Sequence, residues 1–282
     1  MDRGGMRTSI ILALIIIGIQ TCHAWGPVGH EVVAYIAEDN LSPSAKNKIG
    51  QILGPNTSLA DVANWADEIR RSHSNTAPWH FIDIPDRQAV TEVDESRFCP
   101  NGNCVVDQIS AEIALLKSPS QNPKKKLEAL KFLIHFMGDL HQPLHCADDG
   151  DRGGNEKEVR YRTPGSRSVK GRKVKLHALW DHLIEVKTKE DPRELATKLE
   201  GQITSAEKKK WQTGATADWA WESYMIAKKD IYSEFSAGPT QDPDGIQLPK
   251  DYYSTKMRGI VDVQLEKGGV RLANVLEGIF GK

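Results

Sequence analysis

Apolar residues recur at helical spacing along most of the 282-residue chain. The longest such run is Leu127, Leu130, Leu133, Ile134 and Met137, which predicts a helix from Pro123 to about His141. Ser42 followed by Pro43 has the cap-then-proline order of a helix start, and Gly54 stops that helix. Ser58 and Asp61 resemble a capping box and open a helix through Arg71. Further helices are expected over Val105–Leu116, Leu176–Val186, Pro192–Gln212, Thr216–Ile231 and Tyr252–Ile279. One stretch breaks the pattern. Glu158 to Lys175 alternates Val and Tyr with basic residues around Pro164-Gly165 and Gly171, and reads as a hairpin. No internal repeat or low-complexity linker interrupts the chain. The expected fold is therefore all-α with a small β-hairpin, in a single domain over residues 25–282.

The first 24 residues fall outside that domain. Arg3 and Arg7 precede an apolar core from Ser9 to Ile19, too short to span a bilayer. Cys22-His23-Ala24 then offers small residues where a signal peptidase cuts. The expectation is a secreted protein, extracellular or periplasmic, with cleavage near Ala24/Trp25 and no stable membrane association. Export permits disulfides. Cys99 and Cys104 flank Pro100-Asn101-Gly102-Asn103, a turn-forming run that favours a small disulfide loop, and Cys146 is left over.

Composition adds one exclusion. Hydrophobic residues make up 39% and charged residues 27%, ordinary for a globular chain, and the formal net charge is −1. The chain as a whole is not a basic binder of polyanions. Attraction for phosphate must come from a local patch or from bound metal. The hairpin, with Arg160, Arg162, Arg167, Lys170, Arg172, Lys173 and Lys175, is either such a guide or a solvated surface feature.

The histidines carry the chemistry. His135 and Asp139 stand four apart on the long predicted helix, so both face one side. Gly138 beside them permits a close approach of backbone or metal, and His145 follows after Gln142-Pro143. His177 and Asp181 repeat the spacing around Leu179-Trp180. Asp67 and His80 lie upstream, near Trp65 and Trp79. Either pair alone is more often a helix-stabilising ion pair, but their joint occurrence points to metal. Imidazole and carboxylate without thiolate suit zinc, while copper or iron fits on ligand type alone.

Taken together, Trp25-Gly26-x-x-Gly29-His30, Trp65-Ala66-Asp67, Trp79-His80-Phe81-Ile82-Asp83, the His135–His145 run, Gly153-Gly154-Asn155 and Leu176-His177-x-x-Trp180-Asp181 resemble the zinc-dependent single-strand-specific nucleases of fungi, plants and bacteria. These are structural relatives of the bacterial zinc phospholipases C. The resemblance covers almost the whole chain after residue 24. It implies three zinc ions. Asp67, His80, His135 and Asp139 would hold the first, and His145, His177 and Asp181 the second. The α-amine and carbonyl of Trp25, with His30 and Asp139, would hold the third. Three divalent ions against three aspartates leave a surplus of about three positive charges, enough for a near-neutral protein to attract a phosphodiester. His73, His141 and His182 match no ligand position.

The same resemblance implies that Asp67, Asn155 and Arg70 serve catalysis, with Asn155 and Arg70 on the phosphate. Phe81 and Asp83 would receive a base by stacking and hydrogen bonding, which needs an unstacked strand. The implied activity is hydrolysis of single-stranded DNA or RNA to 5′-phosphorylated products by metal-activated water, with 3′-nucleotidase activity as a possible addition, in a monomer. Lys175 departs from the pattern, which commonly has a small polar residue there, and Cys146 is also unusual. A zinc phospholipase C is an alternative, but it would need an apolar trough near the site. A non-catalytic extracellular zinc-binding protein would need the ligands without Asn155 and Arg70.

Overall fold

The computed structural model describes residues 25–162, 171–183, 191–249, 252 and 257–281. The predicted leader, the hairpin tip with Arg167 and Lys170, and the end of the helix expected to reach Val186 lie outside the described residues. Eleven α-helices are described: α1 (Pro27–Asp39), α2 (Pro43–Leu53), α3 (Trp65–Ile69), α4 (Glu95–Phe98), α5 (Val105–Lys117), α6 (Pro123–Asp139), α7 (Leu176–Asp181), α8 (Pro192–Glu200), α9 (Ser205–Trp211), α10 (Thr216–Ile226) and α11 (Arg258–Phe280). The chain is mainly α-helical with a small β element, as its sequence pattern indicates.

Local chemistry accounts for the helix ends. Ser42 accepts a hydrogen bond from the Ala45 N–H, Pro43 fills the first turn, and Gly54 terminates α2 at φ 95°. Two expected helices are broken instead. Residues 58–71 divide into a short 3-10 turn (Ala60–Val62) and α3, although Ser58 and Asp61 do form the reciprocal cap. The Ala63 carbonyl at the break accepts from His135 Nδ1 instead of extending the helix. The helix expected over 192–212 also splits, because Thr204 and Glu207 form a full capping box that starts α9 anew. After α10 the chain runs through a π-turn at Ala227–Ile231.

α6 lies at the centre. Its C-terminal half is buried on every face, from Ala129 through Phe136 to Asp139, as expected of a helix enclosed by others. α5 lies along it, α3 packs beside it, and α1 and α11 pack against each other and against α6. Gly269 of α11 permits that approach, since a Cβ there would stand 2.5 Å from Ile36 of α1. The hairpin comprises β1 (Glu158–Tyr161) and β2 (Arg172–Lys175), antiparallel, with β3 (Ile246–Gln247) parallel on the other side of β1. Cys99 and Cys104 form a disulfide, and Cys146 is free and buried. No described helix is long and apolar enough to cross a membrane.

A buried polar network braces the turn after α6. His141 Nδ1 donates to the Met137 carbonyl, and its Nε2 accepts from Arg271 of α11 at 3.0 Å. Arg271 also donates to both carboxylate oxygens of Glu222 at 2.8 and 2.9 Å, and Gln264 donates to the His141 carbonyl. Burial near the Arg271 cation holds His141 neutral.

Candidate metal centre and active site

The ligand-type side chains come from six places. His30 sits on α1, Asp67 on α3, His80 at the end of a 3-10 turn (Ser74–His80), and His135 and Asp139 on the last turns of α6. His145 closes a 3-10 turn opened by Gln142-Pro143, and His177 and Asp181 lie on α7. All eight are buried. Their donor atoms gather in three groups, each within 4.8 Å: His30, His135 and Asp139; Asp67, His80 and His135; His145, His177 and Asp181. A fourth set, Cys99, Cys104 and Asp107, has its two sulfurs consumed by the disulfide.

The orientation of the rings follows from backbone carbonyls. His135 Nδ1 contacts the Ala63 carbonyl at 2.7 Å, His145 Nδ1 the His80 carbonyl at 2.7 Å, and His177 Nδ1 the Gly153 carbonyl at 2.6 Å. A carbonyl oxygen can only accept, so each Nδ1 carries the proton and each Nε2 presents a lone pair to the cluster. His145 Nε2 and His177 Nε2 then face each other at 3.2 Å as two acceptors, with Asp181 Oδ1 3.7 Å from His177 Nε2. Two lone pairs at that distance repel unless a cation lies between them. Burial, then the neighbouring His177 ring, keeps His145 well below the usual imidazole range, and burial takes His177 down to about 4. Neutral imidazoles are what a metal requires.

Asp139 links the other two groups. Its Oδ2 is 2.9 Å from His80 Nδ1 and 3.4 Å from His135 Nε2, while Oδ1 lies 3.7 Å from His30 Nε2. Oδ1 is buried without a hydrogen-bond partner among the described residues. Burial, reinforced by Asp67, pushes the Asp139 carboxyl well above the usual range, a penalty that a bound cation would reverse. The donor set thus fits metal in chemistry and orientation. The group that approaches Gly138 is a side chain and not backbone: a Cβ on Gly138 would stand 2.5 Å from His30 Nδ1. The His30 ring stacks on His135 with centroids 3.9 Å apart. Trp25 is fully buried, and the next residue, Gly26, donates its N–H to the Asp181 carbonyl at 2.7 Å.

A cavity of 410 Å³ opens over this cluster, lined among others by His80, His145, His177, Phe81, Asp83 and Asn155. Arg70, Arg152 and Lys175 bring cations to its wall. Arg70 also pairs with Asp67 at 3.2 Å. Asp83 is open to the cavity but walled by protein, and burial together with the Asp148 charge pushes its carboxyl up to about 6. Asn155 donates to the Arg152 carbonyl. Two contributors escaped the sequence reading. Gln142 donates to Asp181 Oδ1 at 2.8 Å and accepts from the Leu144 N–H, so it aims a ligand-type carboxylate. Asp148 accepts the N–H groups of Gly150, Asp151 and Gly153 and shapes the loop that carries Asn155. Gln142 stands inside the His135–His145 run, where its neighbours pointed to it; nothing in the sequence singled out Asp148.

Histidine and aspartate donors gathered beneath a cleft with cations on its wall define a class of enzyme that handles phosphate esters with metal. The chain belongs to the S1/P1 nuclease family: the family description S1/P1 Nuclease matches residues 25–281. It is similar to Endonuclease 2 of Arabidopsis thaliana, with 31% identity covering 96% of each chain. It is also similar to Nuclease S1 of Aspergillus oryzae (30%, 92% of each chain) and Nuclease P1 of Penicillium citrinum (30%, 91% of this chain and 98% of that one). The protein is a nuclease of a metal-dependent family.

Proposed function

We propose that this protein is an exported, three-zinc endonuclease that hydrolyses phosphodiester bonds of single-stranded DNA and RNA and leaves 5′-phosphorylated ends. Residues 1–24 would be its leader and residues 25–282 its single catalytic domain. The disulfide supports export. The observation that carries the reading is the pair of Nε2 lone pairs on His145 and His177, 3.2 Å apart beneath the cleft. In this reading Asp67, His80, His135 and Asp139 hold one zinc, and His145, His177 and Asp181 a second. His30, Asp139 and the Trp25 amine and carbonyl hold a third. Bound there, zinc supplies Lewis acidity towards a phosphate oxygen and lowers the pKa of an attacking water.

The chain's own residues supply the rest. Arg70, placed by its ion pair with Asp67, donates to a non-bridging phosphate oxygen. Asn155 donates its amide to the same group. Phe81 offers a ring face to a base, and Asp83 accepts base N–H groups. A base can lie on Phe81 only when it is unstacked from its own strand, which favours single strands over duplex. The cations on the cavity wall favour a polynucleotide over a phospholipid, which would call for an apolar trough. The test is to assay zinc-loaded protein beginning at Trp25 on single-stranded DNA, RNA, duplex DNA and phosphatidylcholine, with metal content measured. Cleavage of both single strands and sparing of duplex are expected. Preferential attack on duplex or on lipid would overturn the reading.

A further inference from the structure

The cavity has room for little more than one nucleotide unit, at the lower end of the ~300–1,000 Å³ typical of ligand pockets. If Phe81 and Asp83 take the base and Arg70 and Asn155 the scissile phosphate, a polymer must leave across the rim. Two cations stand at that rim, on separate elements. Arg152 lies in the loop before β1, and Lys175 ends β2. On the same hairpin, Arg160 bonds Asp244, and Lys173 bonds Glu158 and the Pro243 carbonyl.

We infer that Arg152 and Lys175 form a subsite for a second phosphate, next to the scissile one, so that the enzyme grips an oligonucleotide better than a mononucleotide. This rests on the nuclease reading above. Lys175 contacts Glu158 at 3.1 Å, but Glu158 is also held by Lys173 at 2.5 Å. Lys175 can therefore turn to a phosphate without stranding the carboxylate. Arg152 is 4.0 Å from Glu156, and both are exposed, so that pair offers weak competition. The backbone of Arg152 is left-handed at φ 57°, a conformation that an Asn or Gly would adopt more readily. Such strain tends to persist where a side chain must be aimed. The Asp148 carboxylate holds the loop in that shape. A mononucleotide brings no second phosphate, so the rim acts only on a chain.

The test compares zinc-loaded parent, Arg152→Ala/Lys175→Ala and Lys175→Asn. Dissociation constants are measured for a phosphorothioate-linked thymidine hexamer across a salt series, and for thymidine monophosphate by competition. The double variant should bind the hexamer about tenfold more weakly, with the slope of log K against log salt reduced by about 1.4 for two lost contacts. Its affinity for the mononucleotide should change much less, and Lys175→Asn should give about half the change in slope. Parallel losses for both ligands, an unchanged slope, or loss of zinc from the variants would overturn the subsite. Cleavage of an unmodified hexamer by the parent is followed alongside. A parent that binds but does not cut would sink the nuclease reading while leaving the rim measurement standing.

Discussion

The floor of the cleft and its rim are built on different plans. On the floor, His135, His145 and His177 are each aimed by a backbone carbonyl, and Asp181 is aimed by Gln142. These side chains are buried and their directions are fixed by the fold. At the rim, Arg152 and Lys175 are exposed or partly so, and their partners are other surface charges. A buried donor cluster can exclude water and bind metal, but it cannot adapt. An exposed charge can adapt, but screening limits what it contributes. Changes to the floor should therefore alter metal content and turnover, changes to the rim should alter affinity and its dependence on salt, and changes to the base site should alter affinity and its dependence on pH.

The largest effect expected is from Asp139→Asn. The two oxygens of Asp139 face different groups, so the change should reduce zinc content at more than one position and lower turnover by at least ~100-fold. Asp181→Asn should do less on both measures; equal damage, read by elemental analysis and initial rates, would break the assignment of a shared carboxylate. Next is the N-terminus. Protein extended by one or two residues before Trp25 should stay folded, lose about one zinc and lose most of its activity, because an amide nitrogen has no lone pair for a metal while a deprotonated amine does. Unaltered zinc content would remove Trp25 from the ligand set.

Gly138→Ala comes third. The added Cβ would collide with the His30 ring, so destabilisation of about 1–3 kcal/mol is expected, with weaker metal retention. Thermal melts with and without chelator would separate the two, and a variant matching the parent in both would show that the ring can yield. Gln142→Leu should cost about tenfold in metal affinity by freeing Asp181, as metal titration would show. The smallest effect belongs to the base site on the cavity wall. Burial raises the Asp83 pKa to about 6, so below that pH one of its oxygens holds a proton, and only above it can both oxygens accept. Affinity for bases that present two N–H groups should rise a few-fold as pH passes upward through about 6, and Asp83→Asn should flatten that rise. A profile that keeps its step in the variant would assign the titration elsewhere.

Local signals in the sequence carried much of this. Proline and serine caps located α2, and the i, i+4 pairs located the chemistry of α6 and α7. α1 is legible too, since Pro27 opens it and Val32, Val33, Ile36 and Ala37 follow a helical stripe, but the glycine-rich motif at its start hides it. The breaks at Ala63 and Thr204 had different causes. Thr204-x-x-Glu207 is a local signal that could have been read. The Ala63 break leaves a carbonyl for His135, 72 residues away, and no local pattern encodes such a contact. Gln142 could have been inferred from its neighbours, but its partner Asp181 lies on another helix. What stayed hidden was pairing between distant segments.

The hydrogen bond from Gly26 to the Asp181 carbonyl has a kinetic meaning. It joins the start of the domain to α7, and the donor groups between them are drawn from α1, α3, α6 and two isolated turns. Closing so many long loops is slow and comes late on the path to the native state. Interactions formed after the transition state leave the folding rate nearly unchanged and slow unfolding instead. Metal held in this cluster should act as a latch on the finished protein: chelation would shorten its lifetime against proteases far more than it would delay refolding.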